Sequence, residues 1–289
     1  VALLATPYIS KHYASAQAAA GNAPGALSIT LTGHGIRYAT FSADYRTLSG
    51  LGHSYPDDTM HGAPGGFSEH FAYLLNNHFP DSKQFGKVNI TLLNRDFTLI
   101  PESFAGEGDI RKHLVFSGGN AAGTNVMHNS VKDTVVGFST DAEVFSLLGK
   151  KFAWASIRHA AAVTPALMLT HHSLRNCDVF LQTGRSVIEI CVCSGQQLKY
   201  YNVFHVETDE DILYYLLFTM EQLQLDPATV RLALAGEREV NDALHKSIKR
   251  YIQQVLFVSP DPTISIKGDA SQLPGHFYFD VLHAHLCAS

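Results

Sequence analysis

The clearest pattern of apolar and polar positions lies in the last third of the chain and predicts a regular α/β segment. Thr208 and Asp211 form a capping box at the start of a helix, and acidic side chains fill its first turn, where the helix dipole favours them. Apolar residues then recur at helical spacing until Pro227 ends the helix. An alternating strand at 230–234, a second helix and a closing strand at 255–258 follow. This order is typical of half of an α/β domain.

The same plan is predicted twice along the chain. Alternating polarity predicts three consecutive strands from Leu27 and three more from Asp178, each set followed by a helix, a strand and a helix. A duplicated unit of order β-β-β-α-β-α is the layout of the actin-like (ribonuclease H-like) α/β fold, whose members bind nucleotide in the cleft between two lobes. We therefore predict a lead-in at 1–25, lobe I at 26–176 and lobe II at 177–289, each lobe with a mixed sheet.

Weaker patterns predict several further segments. They are a polar loop at 56–66, a surface loop at 117–123, a short strand at 152–156, a helix at 159–172 and a terminal strand at 283–287. The stretch at 102–130 has no consistent periodicity, so neither a helix nor a strand is assigned to it.

Composition and charge narrow the class of protein. The 289 residues are 46% hydrophobic and 16% charged, which is enough to bury a large core. The net charge of −5 gives no electrostatic basis for binding nucleic acid or an anionic membrane, and the longest apolar run, at 212–220, is too short for a membrane span. The N-terminal stretch has no basic leader, so no signal peptide is expected. We predict no nucleic-acid partner and no direct membrane insertion.

The four cysteines are too few and too unevenly spaced for a disulfide framework. Three of them lie in apolar surroundings, where a buried free thiol packs as a small hydrophobic side chain. Free thiols are typical of a reducing compartment. Together with the missing leader and membrane span, they predict a cytoplasmic protein.

Histidine is abundant, with 16 residues, and two groups of them could hold a metal. If the end of the chain is a strand, His283, His285 and Cys287 share one face, but such neighbours lie about 6 to 7 Å apart, which is awkward for one ion. His171 and His172 end a predicted helix, where histidine suits the helix dipole. We predict no metal site, and keep binding of a metal or small molecule by the C-terminal histidines as a minor alternative.

Four segments resemble one known family. They are Leu-Ser-Ile at 27–29, Phe-Thr-Leu-Ile-Pro-Glu at 97–102, Thr-Asp-Glu-Asp-Ile-Leu-Tyr-Tyr-Leu-Leu at 208–217 and Leu-Ala-Leu-Ala-Gly-Glu at 232–237. Together they are similar to domain-of-unknown-function family 3822, a bacterial family with an actin-like ATPase fold, over roughly residues 27–287. The resemblance implies the fold. It implies no activity, because none is assigned to the family.

The segments that would face a nucleotide lack the acids that actin-like ATPases use. Those enzymes carry Asp-x-Gly at the first hairpin of each lobe, where the carboxylates organise a magnesium ion that needs hard oxygen ligands. Here the two hairpins carry Thr30-Leu31-Thr32 and Gln182-Thr183-Gly184, and Ala235-Gly236-Glu237 keeps one glycine of the pair under the adenine. The degenerate nucleotide cleft predicted from these segments consists of Thr30, Thr32, Gln182, Gly184, Gly236 and Glu237.

Loss of both carboxylates predicts a pseudo-ATPase, since an uncharged side chain neither binds the cation strongly nor acts as a base. The leading hypothesis is a non-catalytic scaffold or adaptor that binds an unknown protein partner, with no catalytic residue and no cofactor. The alternative is a nucleotide-binding switch or weak ATPase that uses ATP and Mg²⁺ with an unorthodox acid, such as Asp57 or Asp58.

Overall fold

The computed structural model describes residues 8–14, 25–56, 66–106 and 110–287. The chain divides into two compact units. The first unit extends to residue 159 and also includes residues 263–272, whereas the second comprises residues 160–262 and 273–287. None of the helices in the described part of the chain is long and apolar enough to cross a bilayer.

The first unit contains nine strands and three α-helices among its described residues. The strands are β1 (Tyr8–Ala14), β2 (Gly25–Thr32), β3 (Gly35–Phe41), β4 (Leu48–Pro56), β5 (Phe85–Leu93), β6 (Phe97–Pro101), β7 (Thr124–Val131), β8 (Thr134–Asp141) and β9 (Ser156–His159). The helices are α1 (Gly66–His78), α2 (Ile110–Phe116) and α3 (Ala142–Lys151).

Six of these strands form one mixed sheet, in the order β1-β4-β3-β2-β5-β9. The first four strands pair antiparallel, whereas β2, β5 and β9 pair parallel. The remaining three strands form a separate antiparallel sheet in the order β6-β8-β7. This smaller sheet and α2 lie between β5 and α3 along the chain, and we call residues 97–141 the insertion.

The apolar core of the first unit lies against one face of the large sheet. On β3, Tyr38 pairs with Ile29 of β2, and its ring meets Phe79 edge-on with the ring centroids 5.2 Å apart. Phe79 follows α1 and also contacts Phe152, which caps α3, at a centroid distance of 6.2 Å. The ends of both helices are therefore anchored by aromatic side chains in this core.

The second unit contains five strands and four α-helices among its described residues. The strands are β10 (Val179–Thr183), β11 (Val187–Ser194), β12 (Gln197–His205), β13 (Arg231–Gly236) and β14 (Gln254–Phe257). The helices are α4 (Ala160–Thr170), α5 (Asp209–Gln222), α6 (Ala243–Ile248) and α7 (Phe279–His283).

The sheet of the second unit has the same plan as the large sheet of the first. Its order is β12-β11-β10-β13-β14, with antiparallel pairing among the first three strands and parallel pairing among β10, β13 and β14. Strands β4, β3, β2, β5 and β9 repeat this order and these directions. The predicted duplication of three meandering strands followed by a helix, a strand and a helix, with a mixed sheet in each copy, is confirmed.

The two units divide after His159, earlier than the predicted boundary between lobes at 176 and 177. Helix α4 belongs to the second unit because it packs against β11 and β12. Thr164 of this helix donates a hydrogen bond of 2.9 Å to the buried carboxylate of Glu189 on β11. Eight of its eleven residues are buried, which is typical of a helix covered on all sides.

Several predicted elements differ from those observed. The lead-in contains strand β1, and the stretch without an assignment contains α2 and β7, so that 117–123 is the connection between them. The strand predicted at 152–156 is wrong, because the observed strand β9 begins at Ser156. The polar loop predicted at 56–66 falls largely on residues 57–65, outside the described residues.

The terminal strand predicted at 283–287 is also wrong. This segment continues from α7 into a short 3₁₀ helix at Ala284–Cys287. Buried residues occur at helical spacing, since Phe279, Val281, Leu282 and His283 all face the interior. His283, His285 and Cys287 therefore do not share one face of a strand, and the predicted geometry of a C-terminal metal site does not exist.

Candidate functional site

The hairpin between β2 and β3 contains the first two predicted site residues. Thr32 closes the turn, because its Oγ1 donates to the carbonyl of Gly35 at 3.2 Å and accepts from the backbone N–H of His34 at 3.2 Å. Thr30 lies two residues earlier, and its buried Oγ1 has no hydrogen-bond partner. Thr32 thus has a local structural role, whereas Thr30 presents an unsatisfied oxygen to its surroundings.

Thr30 belongs to a buried polar face of the large sheet that the sequence analysis did not single out. Thr30 pairs with Thr91 of β5 on one side and with Arg37 of β3 on the other, so these side chains lie on the same face. Ser28 and Asn89 form the neighbouring pair on that face, and Ser28 Oγ also lacks a partner. The signal in the sequence was the polar half of the alternation in β2 and β5.

The hairpin between β10 and β11 contains the next two predicted site residues. Gln182 is 4% exposed, and its Oε1 has no hydrogen-bond partner. The backbone N–H of Gly184 donates to the carbonyl of Val187 at 2.8 Å, and a Cβ on Gly184 would lie only 2.8 Å from that same oxygen. Glycine at 184 is therefore required by the tightness of the hairpin, without reference to a ligand.

Gly236 ends β13 directly beside β10, in register with Thr183. Its φ is +102°, and an added Cβ would lie 2.0 Å from the Thr183 carbonyl oxygen. Its backbone N–H donates to the carbonyl of His276 at 2.9 Å. The turn after β13 is thus already satisfied by the protein, and its exposed neighbour Glu237 begins the connection to α6.

The same turn is held by two side chains. His276 Nε2 donates to the carbonyl of Arg238 at 2.7 Å, and burial lowers the pKa of His276, so its neutral form is favoured. Arg238 forms an ion pair with Asp209 at 2.7 Å and lies 3.9 Å from Asp242. These contacts tie the segment after β13 to the starts of α5 and α6.

The structure brings together four of the six predicted site residues within the second unit: Gln182, Gly184, Gly236 and Glu237 lie at the ends of β10 and β13. Thr30 and Thr32 lie in the corresponding place of the first unit. Neither turn segment, at 30–35 or at 182–187, carries an acidic residue. Asp57 and Asp58, considered above as unorthodox acids, lie outside the described residues.

A buried carboxylate on β11 is a second polar feature that the sequence analysis missed. Glu189 Oε2 accepts hydrogen bonds from Tyr201 Oη at 2.6 Å and from Thr164 Oγ1 at 2.9 Å. Burial raises the pKa of Glu189 to about 7, although both hydrogen bonds act in the opposite direction. An acid within the otherwise apolar and buried run 187–193 is the signal that could have revealed it.

Comparisons with known proteins agree on family and fold. The sequence model of the family described as "Protein of unknown function (DUF3822)" matches residues 19–255. No curated protein sequence matches the chain.

Two solved structures illustrate the fold. A Bacteroides thetaiotaomicron protein with an actin-like ATPase fold and unknown function is similar over 84% of this chain and 93% of its own, with a TM-score of 0.67 and 21% identity. A chain of a PilM–PilN type IV pilus biogenesis complex is similar over 91% of this chain and 98% of its own, with a TM-score of 0.57 and 11% identity. These structural similarities confirm the predicted actin-like fold. The family model matches most of the chain, and the chain therefore belongs to the DUF3822 family.

Proposed function

We propose that this protein is a non-catalytic actin-like scaffold or adaptor that acts by binding another protein. The observation that carries the proposal is the chemistry of the two hairpins, where Thr30 and Gln182 stand in place of carboxylates. Neutral side-chain oxygens bind a magnesium ion far more weakly than carboxylates and cannot act as a base, so losing both acids removes several kcal/mol of transition-state stabilisation. What remains is the two units of the fold without the acids of the phosphate site.

The insertion supplies the surface that we assign to a partner. Phe116, at the end of α2, is 93% exposed, and Phe104 and Val115 are 67% and 58% exposed. Large apolar side chains exposed within one short module favour a protein interaction, since water contact with such groups is unfavourable. We call Phe104, Val115 and Phe116 the apolar rim of the insertion.

A groove of about 530 Å³ lies in the same module, between α2 and β7. It is lined mainly by apolar side chains, including Ile110, Val126, Met127 and Val135, and its polar groups are Arg111, His128 and Ser130. This composition suits an apolar segment of a partner protein, with a few polar contacts to fix its orientation.

A similar fold is found in a known protein assembly. This chain resembles one chain of the PilM–PilN type IV pilus biogenesis complex. This support is at the level of fold alone. We further expect the protein to act in the cytoplasm, where a reducing environment would keep Cys177, Cys191, Cys193 and Cys287 as the free thiols observed.

Affinity capture from the native cell tests the proposal. The bait is the intact protein, compared with the double variant Phe104→Ser and Phe116→Ser, both of which change exposed side chains of the apolar rim. Tyr251→Ser, an exposed aromatic of the second unit, is the matched control. We expect one reproducible partner with the wild type and the control, and its loss with the double variant. Absence of a reproducible partner, or equal capture by all three baits, would overturn the proposal.

Nucleotide binding without hydrolysis is the second candidate function. It is favoured by the buried Thr30 Oγ1 and Gln182 Oε1, each of which lacks a hydrogen-bond partner. Thermal unfolding with ATP and Mg²⁺ tests it, because a ligand at 100 times its dissociation constant adds about 2.7 kcal/mol to stability. A shift that Thr30→Val and Gln182→Leu abolish would support this function, and no shift with saturating ATP would exclude it.

A further inference from the structure

A cluster of potential metal ligands lies at the end of α4 in the second unit. His171 and His172 directly follow this helix, and Asp261 lies in the segment after β14. One ring nitrogen from each histidine and one carboxylate oxygen of Asp261 all lie within 4.8 Å of one another. Two imidazoles and a carboxylate at such separations are a ligand set typical of divalent transition ions.

His171 has a nitrogen that the protein leaves unused. The side chain is 3% exposed, and its Nδ1 meets Ser173 Oγ at 2.9 Å and the Ser173 backbone N–H at 3.3 Å. Its Nε2 is buried and has no hydrogen-bond partner. In the tautomer whose Nδ1–H donates to Ser173 Oγ, the buried Nε2 carries a lone pair without a partner, and coordination of an ion by Nε2 would satisfy it.

The two ligand-bearing segments are already fastened to each other. His172 Nε2 lies 3.3 Å from Ser259 Oγ, and Ser173 Oγ donates to the Ser259 carbonyl at 3.4 Å. The rings of His171 and His172 lie 4.4 Å apart between centroids. The ligands are thus held near one another before any ion arrives, which reduces the entropy lost on binding.

His283 holds the backbone of Asp261 in place. Its Nε2 accepts the backbone N–H of Asp261 at 2.9 Å, and its Nδ1 donates to the carbonyl of Phe279 at 2.8 Å. Both ring nitrogens are therefore in use, and His283 is a positioning residue rather than a ligand. Such outer partners fix the orientation of a ligand-bearing segment.

We propose that His171, His172 and Asp261 bind one divalent first-row transition ion, with Zn²⁺ as the ion that best suits this ligand set. Water would complete the four-coordinate shell, on the side where His172 is exposed. The ion would cross-link the end of α4 to the segment after β14. This proposal does not depend on the scaffold function proposed above.

Direct binding to the intact protein, produced without a polyhistidine tag and stripped with a chelator, tests the proposal. Zn²⁺ is titrated by calorimetry, and Co²⁺ is used as a spectroscopic probe because its visible absorption reports tetrahedral coordination. We expect one ion per chain and a tetrahedral Co²⁺ spectrum. His172→Ala and Asp261→Asn should each weaken binding at least about tenfold, since even changes to outer partners have that effect.

Two further measurements separate a real site from surface binding. His205→Ala removes an exposed histidine of the same unit outside the cluster and should bind Zn²⁺ like the wild type. Zn²⁺ should raise the unfolding temperature of the wild type and of His205→Ala, but not that of His172→Ala. Equal affinities in all variants, or no stoichiometric binding by the wild type, would overturn the proposal.

Discussion

At the scale of single residues, Gly236 occupies a position that tolerates no side chain. A Cβ would overlap the carbonyl oxygen of Thr183, and its φ of +102° lies in a region that other residues rarely adopt. We predict that Gly236→Ala lowers the free energy of unfolding by more than about 3 kcal/mol, because it combines strain with overlap. Urea denaturation followed by circular dichroism measures this change.

Gly195 provides the control for this variant. Its φ is +59°, but an added Cβ would have no atom within 4 Å. Gly195→Ala should therefore cost only the backbone term, about 1 to 2 kcal/mol. Similar losses in the two variants would mean that the close approach of β10 and β13 at Gly236 relaxes without cost.

The glycines of the candidate site could be identified from the sequence more readily than the surroundings of its buried polar side chains. Gly184 and Gly236 were identified because they match glycines in the phosphate and adenine motifs of actin-like ATPases, and each occupies a tight backbone position. The missing partners of Gln182 Oε1 and Thr30 Oγ1 depend on what surrounds them in three dimensions. His171 and Asp261 meet only because the chain returns after β14, so the linear pattern contained no signal for their proximity.

At the scale of elements, α5 shows how much a local signal determines. Thr208 Oγ1 accepts from the N–H of Asp211 at 3.2 Å, and Asp211 Oδ2 accepts from the N–H of Thr208 at 2.9 Å, completing the predicted capping box. We predict that Thr208→Ala lowers the free energy of unfolding by about 1 kcal/mol, because one helix N–H loses its acceptor. Glu210→Ala, in the same exposed turn, should lower it by about 0.3 to 1 kcal/mol.

Chemical denaturation of the two variants and the wild type gives the comparison. A loss for Thr208→Ala no larger than that for Glu210→Ala would show that solvent replaces the cap without cost. Hydrogen exchange in the first turn of α5 offers an independent measurement, since fraying after loss of the cap would be confined to that turn.

Elements with weak local signals were the ones that sequence reasoning missed. Helix α2 has seven residues, and only Leu114 is buried, so its periodicity is too short to recognise. Near the end of the chain, every second residue is a histidine or a cysteine, namely His283, His285 and Cys287. A pattern this short is compatible with a strand as well as with a helix. The burial of Phe279 and Leu282 favours the helix, and this burial depends on tertiary packing.

At the scale of the whole molecule, each unit contains a fully buried ionisable group whose pKa is shifted so that its neutral form is favoured. In the first unit, burial lowers the pKa of His159 to about 3, and in the second, burial raises that of Glu189 to about 7. The neutral His159 contributes stability that is present above pH 6.5 and is lost as the pH falls toward 3. The protonated Glu189 contributes stability that is present below pH 4.5 and is lost as the pH rises through 7.

The stability contributed by Glu189 falls as the pH rises, whereas that contributed by His159 falls as the pH decreases. Variants that cannot ionise at these two positions should therefore differ from the wild type in opposite pH ranges. Glu189→Gln should gain stability relative to the wild type as the pH rises from 4.5 to 7, because it cannot ionise. His159→Gln should gain relative to the wild type as the pH falls from 6.5 to 3 for the same reason. Urea denaturation across this pH range measures both differences, and a difference that does not vary with pH would contradict the burial of that group in its neutral form.

The duplicated plan was predictable because each half repeats the order of strands and helices in its own local pattern. The insertion was not predictable from the sequence. Its short antiparallel strands β6, β7 and β8 interrupt that plan but have no distinctive composition that would mark them as a separate module. The assignment of α4 to the second unit also required tertiary contacts. Local periodicity thus determines the elements, whereas their division into units depends on which surfaces meet.

Residues 263–272 return to the first unit after most of the second has been formed. There the backbone N–H of Leu48 donates to the carbonyl of Ser265 at 3.1 Å, and the N–H of Ser265 donates to the carbonyl of Arg46 at 2.7 Å. During synthesis, the ribosome must therefore translate more than ninety residues beyond β9 before the first unit receives its final backbone bonds. A fragment cut at residue 160 would leave the start of β4 open to water, so dissection of this protein should follow its contacts rather than its linear order.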